Sequence, residues 1–362
     1  MEKVLIYALS ENVGGVEEYV MNLLRYSIGG KDKYGYFILG ENSPYEEELI
    51  YRETDYYFIP KKKNIFKNIF SSISLLKRLR SEYDTVYFNT SAIGYLVPYL
   101  ICIHYRYKIV LHSHSDCSKT AGLIKKMIHR LNYGVIKKKI GAKFACSSPA
   151  AKWMFHNDLS NVVVIPNAIQ LDRFIYDEYA RKQIKEKFGF KNELILGNVA
   201  RLCVIKNQKF LIAILSELIK MGKNVKLVLV GDGEMRTLLE KQVVKLKLDQ
   251  NVIFWGRTKE PEYVMNCMDC IVLPSISEGF PISVVEAQAA GIQCFVANTV
   301  TEEVNITGDV HFVSLEESPS NWAKMIVNVD RRRHNNIELL RELEYDVKDL
   351  ENKVWTLLKD IK

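Results

Sequence analysis

Short apolar runs alternate with amphipathic stretches from one end of the chain to the other. In the first half, residues 4–9, 34–39, 83–88, 108–113, 144–147 and 162–166 read as strands. A second series begins at residues 194–199 and continues at 225–230, 252–255, 270–273, 294–297 and 311–313. Helices are expected between them, among others over 208–221 and 235–248. This alternation is the signature of parallel α/β sheets rather than sandwiches or bundles. The turn-rich Pro166-Asn167-Ala168 separates the two series. The pattern therefore predicts two doubly wound, Rossmann-like domains facing a cleft, over residues 1–168 and 169–344. Residues 345–362 are expected to form a terminal helix with Val347, Leu350, Val354, Leu357 and Leu358 on one face. No sequence repeat links the halves.

A length of 362 residues, about twice that of an ordinary domain, fits this division. With 48% hydrophobic and 26% charged residues and only 9 Pro and 19 Gly, the chain is neither disordered, collagenous nor of low complexity. No apolar run approaches the roughly 18 residues of a membrane span, and the N-terminus reads as a strand rather than a signal peptide, so a cytoplasmic location is expected. The odd count of 7 cysteines speaks for reduced thiols. Cys267-x-x-Cys270 lacks a second ligand pair and reads as core rather than zinc or redox chemistry.

Charge is unevenly placed. The net charge is +7, yet residues 1–168 carry 23 Lys and Arg against 15 Asp and Glu, and residues 61–143 carry 17 against 3. Two segments, 61–80 and 123–143, set lysines beside apolar helical faces. Ile65, Phe66, Ile69, Phe70, Ile73 and Leu76 in the first have the spacing of an interfacial helix, for which a basic residue near an anionic bilayer contributes about 1 kcal/mol. An ordinary amphipathic helix packed on a sheet has the same spacing, and the sequence leaves both readings open. Nucleic acid is a weaker reading, since no binding motif accompanies the charge.

Ligands of open α/β sheets bind beyond the carboxyl ends of the strands. After the first strand, Gly14-Gly15 opens a helix, where a ligand approaches the backbone closely and free N–H groups favour an anion; any tight turn also uses glycine. His112 and His114 close another strand, and alternation sends both to one face. His114 lies further towards the exit. After residue 199, Arg201 and Lys206 in one loop form a candidate diphosphate clamp or a solvated basic loop. The most informative stretch runs from Pro274 to Ala287. There Glu278-Gly279-Phe280-Pro281-Ile282 makes a sharp strand-to-helix junction, Pro281 is expected in the first helical turn, and Glu286 follows about 7.5 Å along the axis. Two such carboxylates suit hydroxyl groups rather than phosphate.

Taken together, Gly14-Gly15-Val16-Glu17, His114, Ile165-Pro166-Asn167-Ala168-Ile169 with Arg173-Phe174, Arg201, Lys206, Gly231-Asp232-Gly233-Glu234, and Glu278-x7-Glu286 followed by Ala287-x-Ala289-x-Gly291 resemble the retaining glycosyltransferases of the GT-B fold, specifically family 4. These pieces span nearly the whole chain in the family's order. The resemblance implies that Arg201 and Lys206 hold a donor diphosphate, that Gly14 and Gly15 approach it, and that Glu278 meets the transferred sugar near the backbone of Gly279, Phe280, Pro281 and Ile282. It assigns Glu286 to the ribose and puts His114 beside the reacting sugar. The terminal helix would cross back onto the first domain, which would bind the acceptor. Asn167-Ala168 departs from the family's frequent Asn-Gly. Gln288 carries no information by itself.

A departing nucleoside diphosphate requires stabilised negative charge. The chain has no Asp-x-Asp; Asp232-x-Glu234 is the nearest sequence. The expectation is thus a metal-independent reaction using Arg201, Lys206 and helix dipoles, with no cofactor. Asp116 is a weak candidate for activating the acceptor. UDP is the default nucleotide by family frequency, and the acceptor a lipid-linked intermediate or a saccharide of surface polysaccharide assembly at the inner membrane face. A sugar-nucleotide hydrolase or epimerase and a non-catalytic nucleotide-binding module are the alternatives.

Overall fold

The computed structural model describes residues 3–11, 14–61, 63–118 and 121–361; Asn12 and Val13 before the Gly-Gly turn, and Lys62 in the basic run, lie outside them. Residues 1–168 together with 345–362 form one compact unit, and residues 169–344 form a second.

Among the described residues the first unit holds seven strands: β1 (Lys3–Ser10), β2 (Tyr34–Leu39), β3 (Asp55–Ile59), β4 (Tyr83–Thr90), β5 (Lys108–Ser113), β6 (Ile140–Ala145) and β7 (Val162–Val164). All pair in parallel, in the order β3-β2-β1-β4-β5-β6-β7. The second unit holds β8 (Leu194–Val199), β9 (Val225–Val230), β10 (Val252–Gly256), β11 (Cys270–Leu273), β12 (Gln293–Ala297) and β13 (Val310–Val313). Their order is β10-β9-β8-β11-β12-β13, again parallel throughout. In both sheets the chain winds one way from its first strand and then reverses, so the crevices for ligands open between β1 and β4 and between β8 and β11.

β3 is absent from the sequence-based reading. Only Ile59 of its five residues is buried, because it forms a sheet edge, and so it shows no continuous apolar run. β6 begins at Ile140 and ends at Ala145, earlier than the expected 144–147. Ser147 has left the strand to cap the Ser148–Phe155 helix, its side chain accepting from the Ala150 N–H at 3.3 Å.

In the first unit the Gly15–Arg25 helix buries Tyr19, Val20, Leu23 and Leu24 against Val4, Ile6 and Leu9 of β1. The terminal Val347–Lys359 helix adds Val347, Leu350, Val354, Trp355 and Leu358 to that same core. It is further tied by Glu351, whose Oε1 accepts from Ser27 Oγ (2.9 Å), Lys33 Nζ (3.0 Å) and Tyr34 Oη (3.0 Å). In the second unit, Leu211, Leu215 and Leu218 of the Gln208–Lys220 helix pack with Leu196 of β8, Leu227 and Leu229 of β9, and Trp322. Cys267 and Cys270 are fully buried in this unit, in keeping with their core reading.

Candidate active site

The loops leaving β8 and β11 flank the reversal of the second sheet. They are fastened to each other and to the loop after β9. The Ile276 N–H donates to Ile205 O (2.8 Å), and Asn207 Nδ2 donates to Pro274 O (3.1 Å). Asn207 takes a left-handed conformation (φ 55°) and caps the Gln208–Lys220 helix. On the other side, the N–H groups of Ala200 and Leu202 donate to Val230 O and Asp232 O, both at 3.0 Å. Gly231 makes this approach possible: its φ is +129°, and a Cβ there would lie 2.1 Å from Ala200 O.

On this frame Lys206 Nζ meets Glu278 Oε1 at 2.5 Å, with the two side chains 22% and 11% exposed. An ammonium has three donors, so this bond leaves two. Arg201, from the same loop, takes a different partner: its Nη2 lies 3.0 Å from Glu234 Oε2, and its side chain is 70% exposed. Lys206 and Glu278 are thus brought together, while Arg201 stands on the solvent side, paired with the glycine turn after β9. Gly279 and Phe280 are buried. Pro281 is the N-cap of the Ile282–Ala289 helix, one position before the expected first turn, because its ψ of 107° is still extended. Glu286 sits half-buried within that helix. Gln288, on which the sequence is silent, anchors the helix. Its Oε1 accepts from the N–H groups of Ile306 and Thr307, both at 3.0 Å, and its Nε2 donates to Val304 O at 2.8 Å.

In the first unit His112 and His114 do share a face, with ring centroids 4.0 Å apart. His114 Nε2 lies 2.8 Å from Asn89 Oδ1. Asn89 Nδ2 donates to Tyr87 O, so Oδ1 is an acceptor, Nε2 carries the imidazole proton, and Nδ1 holds the lone pair. Tyr19 packs on the His114 ring at 4.7 Å. Burial pushes the pKa of His114 down to about 3, and that of His112 well below the ordinary range, so both rings are neutral at physiological pH. His112 Nδ1 is 2.6 Å from Tyr87 Oη, while its buried Nε2 has no partner. Asp116 closes a local turn, Oδ1 accepting from the Ser118 N–H at 2.8 Å.

Gly14 caps the Gly15–Arg25 helix with extended geometry, and Glu17 turns back towards it, Oε1 accepting from Ser10 Oγ at 2.9 Å. A cavity of about 290 Å³ opens here, at the exits of β1, β2 and β4, lined among others by Ser10, Glu17, Asn89, Ser91 and Tyr95. Of these, Glu17 entered the sequence reading only within its motif. The others lie at the ends of β1 and β4 and in the loop after β4, whose meeting depends on strand order, which the sequence does not reveal.

Both basic segments turn apolar side chains outward. The Ile65–Leu79 helix packs through Asn68, Ser72, Leu76 and Leu79 and exposes Ile65, Phe66 and Phe70. The Leu123–Ile136 helix buries only His129, Tyr133 and Ile136, and leaves Leu123, Ile124, Met127, Leu131 and Val135 in the open. No helix among the described residues is long and apolar enough to cross a membrane.

Comparison with known proteins gives this architecture a class. Residues 13–173 match the family model described as Glycosyltransferase Family 4, and residues 180–330 match Glycosyl transferases group 1. The crystal structure of Anabaena HepE in complex with UDP-glucose superposes with a TM-score of 0.84 at 17% identity, covering 99% of this chain and 100% of that one. Two doubly wound parallel sheets in this likeness define the GT-B fold. The putative glycosyltransferase EpsF of Bacillus subtilis is 30% identical over 363 residues, covering 95% of this chain and 93% of its own length. The UDP-Gal:alpha-D-GlcNAc-diphosphoundecaprenol alpha-1,3-galactosyltransferase of Escherichia coli is 26% identical over 295 residues, 72% of this chain and 74% of its own. The chain belongs to the family 4 glycosyltransferases, and it is a transferase enzyme.

Proposed function

We propose that the enzyme transfers a sugar, with retention of anomeric configuration and without a divalent metal, from a UDP-linked donor to a lipid-linked or saccharide acceptor in surface polysaccharide assembly. The carrying observation is the Lys206–Glu278 pair at the β8/β11 reversal. Glu278 fixes the ammonium and leaves two of its donors for a diphosphate, so the cation is oriented before charge develops on the leaving group. Arg201 supplies a second cation once it exchanges Glu234 for phosphate. The start of the Ile282–Ala289 helix adds N–H dipoles, and Glu286 takes the ribose hydroxyls. Glu278 also accepts from hydroxyls of the transferred sugar. His114, uncharged and with Nε2–H committed to Asn89, serves that sugar as a hydrogen-bond acceptor through Nδ1 rather than as a cation. The UDP assignment draws support from HepE, crystallised with UDP-glucose. The acceptor assignment draws on the diphosphoundecaprenol in the name of the Escherichia coli relative.

The outward apolar faces and their lysines favour work at the cytoplasmic membrane surface. The test is incubation of UDP-sugars with membrane extract, with EDTA and without, and assignment of the product's anomeric proton by NMR. Sugar joined to acceptor with the donor's configuration, unaffected by EDTA, is the expected result. Free sugar alone would make the protein a hydrolase, and loss of turnover in EDTA would overturn the metal-free mechanism.

A further inference from the structure

We infer that the acceptor is an amphiphile, a sugar head joined through phosphate to an apolar tail, and that the first unit binds both ends of it. This rests on the glycosyltransferase reading and commits it to one of its two acceptor classes. The cavity at the exits of β1, β2 and β4 has the lining that suits a sugar: the polar side chains of Ser10, Asn89 and Ser91, already held in place by Glu17, His114 and Ser115, and the rings of Tyr7 and Tyr95. Glu17 in its wall repels phosphate, so the part that enters is uncharged.

Beside it lies a second, larger groove of about 690 Å³, lined by Gly94, Gly122, Leu123, Ile124, Lys125 and Ile128. Lys125 is the one charged residue among these; the rest are apolar or glycine. Gly94 borders both spaces. Hydroxyl partners, a cation and an apolar wall, joined at one glycine, match the head, linking phosphate and tail of a single molecule. A free saccharide gives the groove nothing to bury, whereas an apolar tail would cover Leu123, Ile124 and Ile128, all of which are exposed. The groove continues into the outward face of the Leu123–Ile136 helix, where Met127 and Leu131 are exposed, so a long tail stays in apolar surroundings beyond it.

Gly94 gives the test. A Cβ at this position meets no atom within 4 Å and the backbone is not left-handed, so Gly94→Leu should place a side chain in the open junction with the fold retained. Binding of dodecyl phosphate and of ethyl phosphate, below micellar concentration, is measured by calorimetry. The unaltered protein should bind dodecyl phosphate at least 10-fold more tightly than ethyl phosphate. Gly94→Leu and Lys125→Gln should each weaken dodecyl phosphate at least 10-fold, with the unfolding temperature unchanged. In turnover with membrane lipid extract, the ratio of lipid-linked to water-soluble product should fall at least 10-fold in Gly94→Leu. Equal binding of the two phosphates, or indifference of dodecyl phosphate to both substitutions, overturns the inference. So does a concentration-dependent dimer abolished by Leu123→Ser in a protein that binds no alkyl phosphate. Alkyl phosphate binding without any sugar transfer by the unaltered enzyme would instead count against the transferase reading and leave the groove assignment standing.

Discussion

Replacing Lys206 by alanine separates the structural from the chemical role of the pair at the β8/β11 reversal. The substitution removes the partner of Glu278, a carboxylate only 11% exposed, and leaves its charge without compensation. Breaking a fully buried pair costs about 3–5 kcal/mol, and with Lys206 itself 22% exposed the expected loss is nearer ~1–2 kcal/mol. For a unit of the length of residues 169–344 that lowers the unfolding temperature by a few degrees, about 2–4 °C per kcal/mol. The chemical loss is separate. One preorganised donor aimed at developing negative charge is worth about 10²–10³ in kcat. Lys206→Ala should therefore be folded, slightly less stable, and slower by two to three orders of magnitude in kcat rather than weakened only in KM. Adding Glu278→Gln removes the stranded charge, so the double variant should regain stability without regaining rate. Calorimetry and initial-rate transfer assays read the two quantities independently. A Lys206→Ala enzyme with unaltered kcat, or a double variant whose rate recovers along with its stability, would refute the assignment of Lys206 to the leaving group.

Two further outcomes test the frame. Gly231→Ala should destabilise the second unit by at least ~2 kcal/mol, because it combines a φ of +129° with a Cβ 2.1 Å from Ala200 O, and thermal denaturation should show it; a change within 0.5 kcal/mol, about the scatter of neutral surface substitutions, would contradict the packing described. Acidification should destabilise the first unit. A histidine of the unfolded chain binds its proton near pH 6.5, but His114 resists doing so until about 3. Between these values the unfolded state holds more protons, so stability complete above 6.5 falls with pH by up to about 1.4 kcal/mol per unit for this one group. Denaturant titrations at pH 7.5, 6 and 5 should show that slope, reduced by about one proton in His114→Gln; an identical slope in the two proteins would show that His114 is not held neutral.

How much of this was legible before any coordinates follows from what burial does to a sequence. Central parallel strands covered on both faces are written as near-continuous apolar runs, and residues 227–230 of β9 and the whole of β11 declare themselves in that way. β3 does not, since an edge strand with one buried residue has no such run to show. Glu278 and Lys206 stand out by motif and loop position, yet their ion pair joins residues 72 positions apart and depends on β8 and β11 being neighbours. The partner of Arg201 is hidden for the same reason. Gln288 illustrates a different limit: a buried amide satisfied on both ends looks, in sequence, like any glutamine in an amphipathic helix. The apolar face of residues 65–70 was ambiguous because periodicity gives the spacing of a stripe without its direction, and only packing through Asn68 and Ser72 turns that stripe outward.

The return of residues 345–362 to the first unit has a consequence for biogenesis. Val347, Leu350, Val354, Trp355, Leu358 and Ile361 complete a core whose other members lie within the first 168 positions, and each buried aliphatic side chain there is worth about 1.5–3 kcal/mol. Several such contributions rival the whole margin of about 5–15 kcal/mol by which a domain stays folded. On the ribosome, the amino-terminal half is therefore expected to wait for the Val347–Lys359 helix to emerge, while the inserted segment 169–344 can mature first, and a premature stop before that helix should disable the part of the enzyme made earliest.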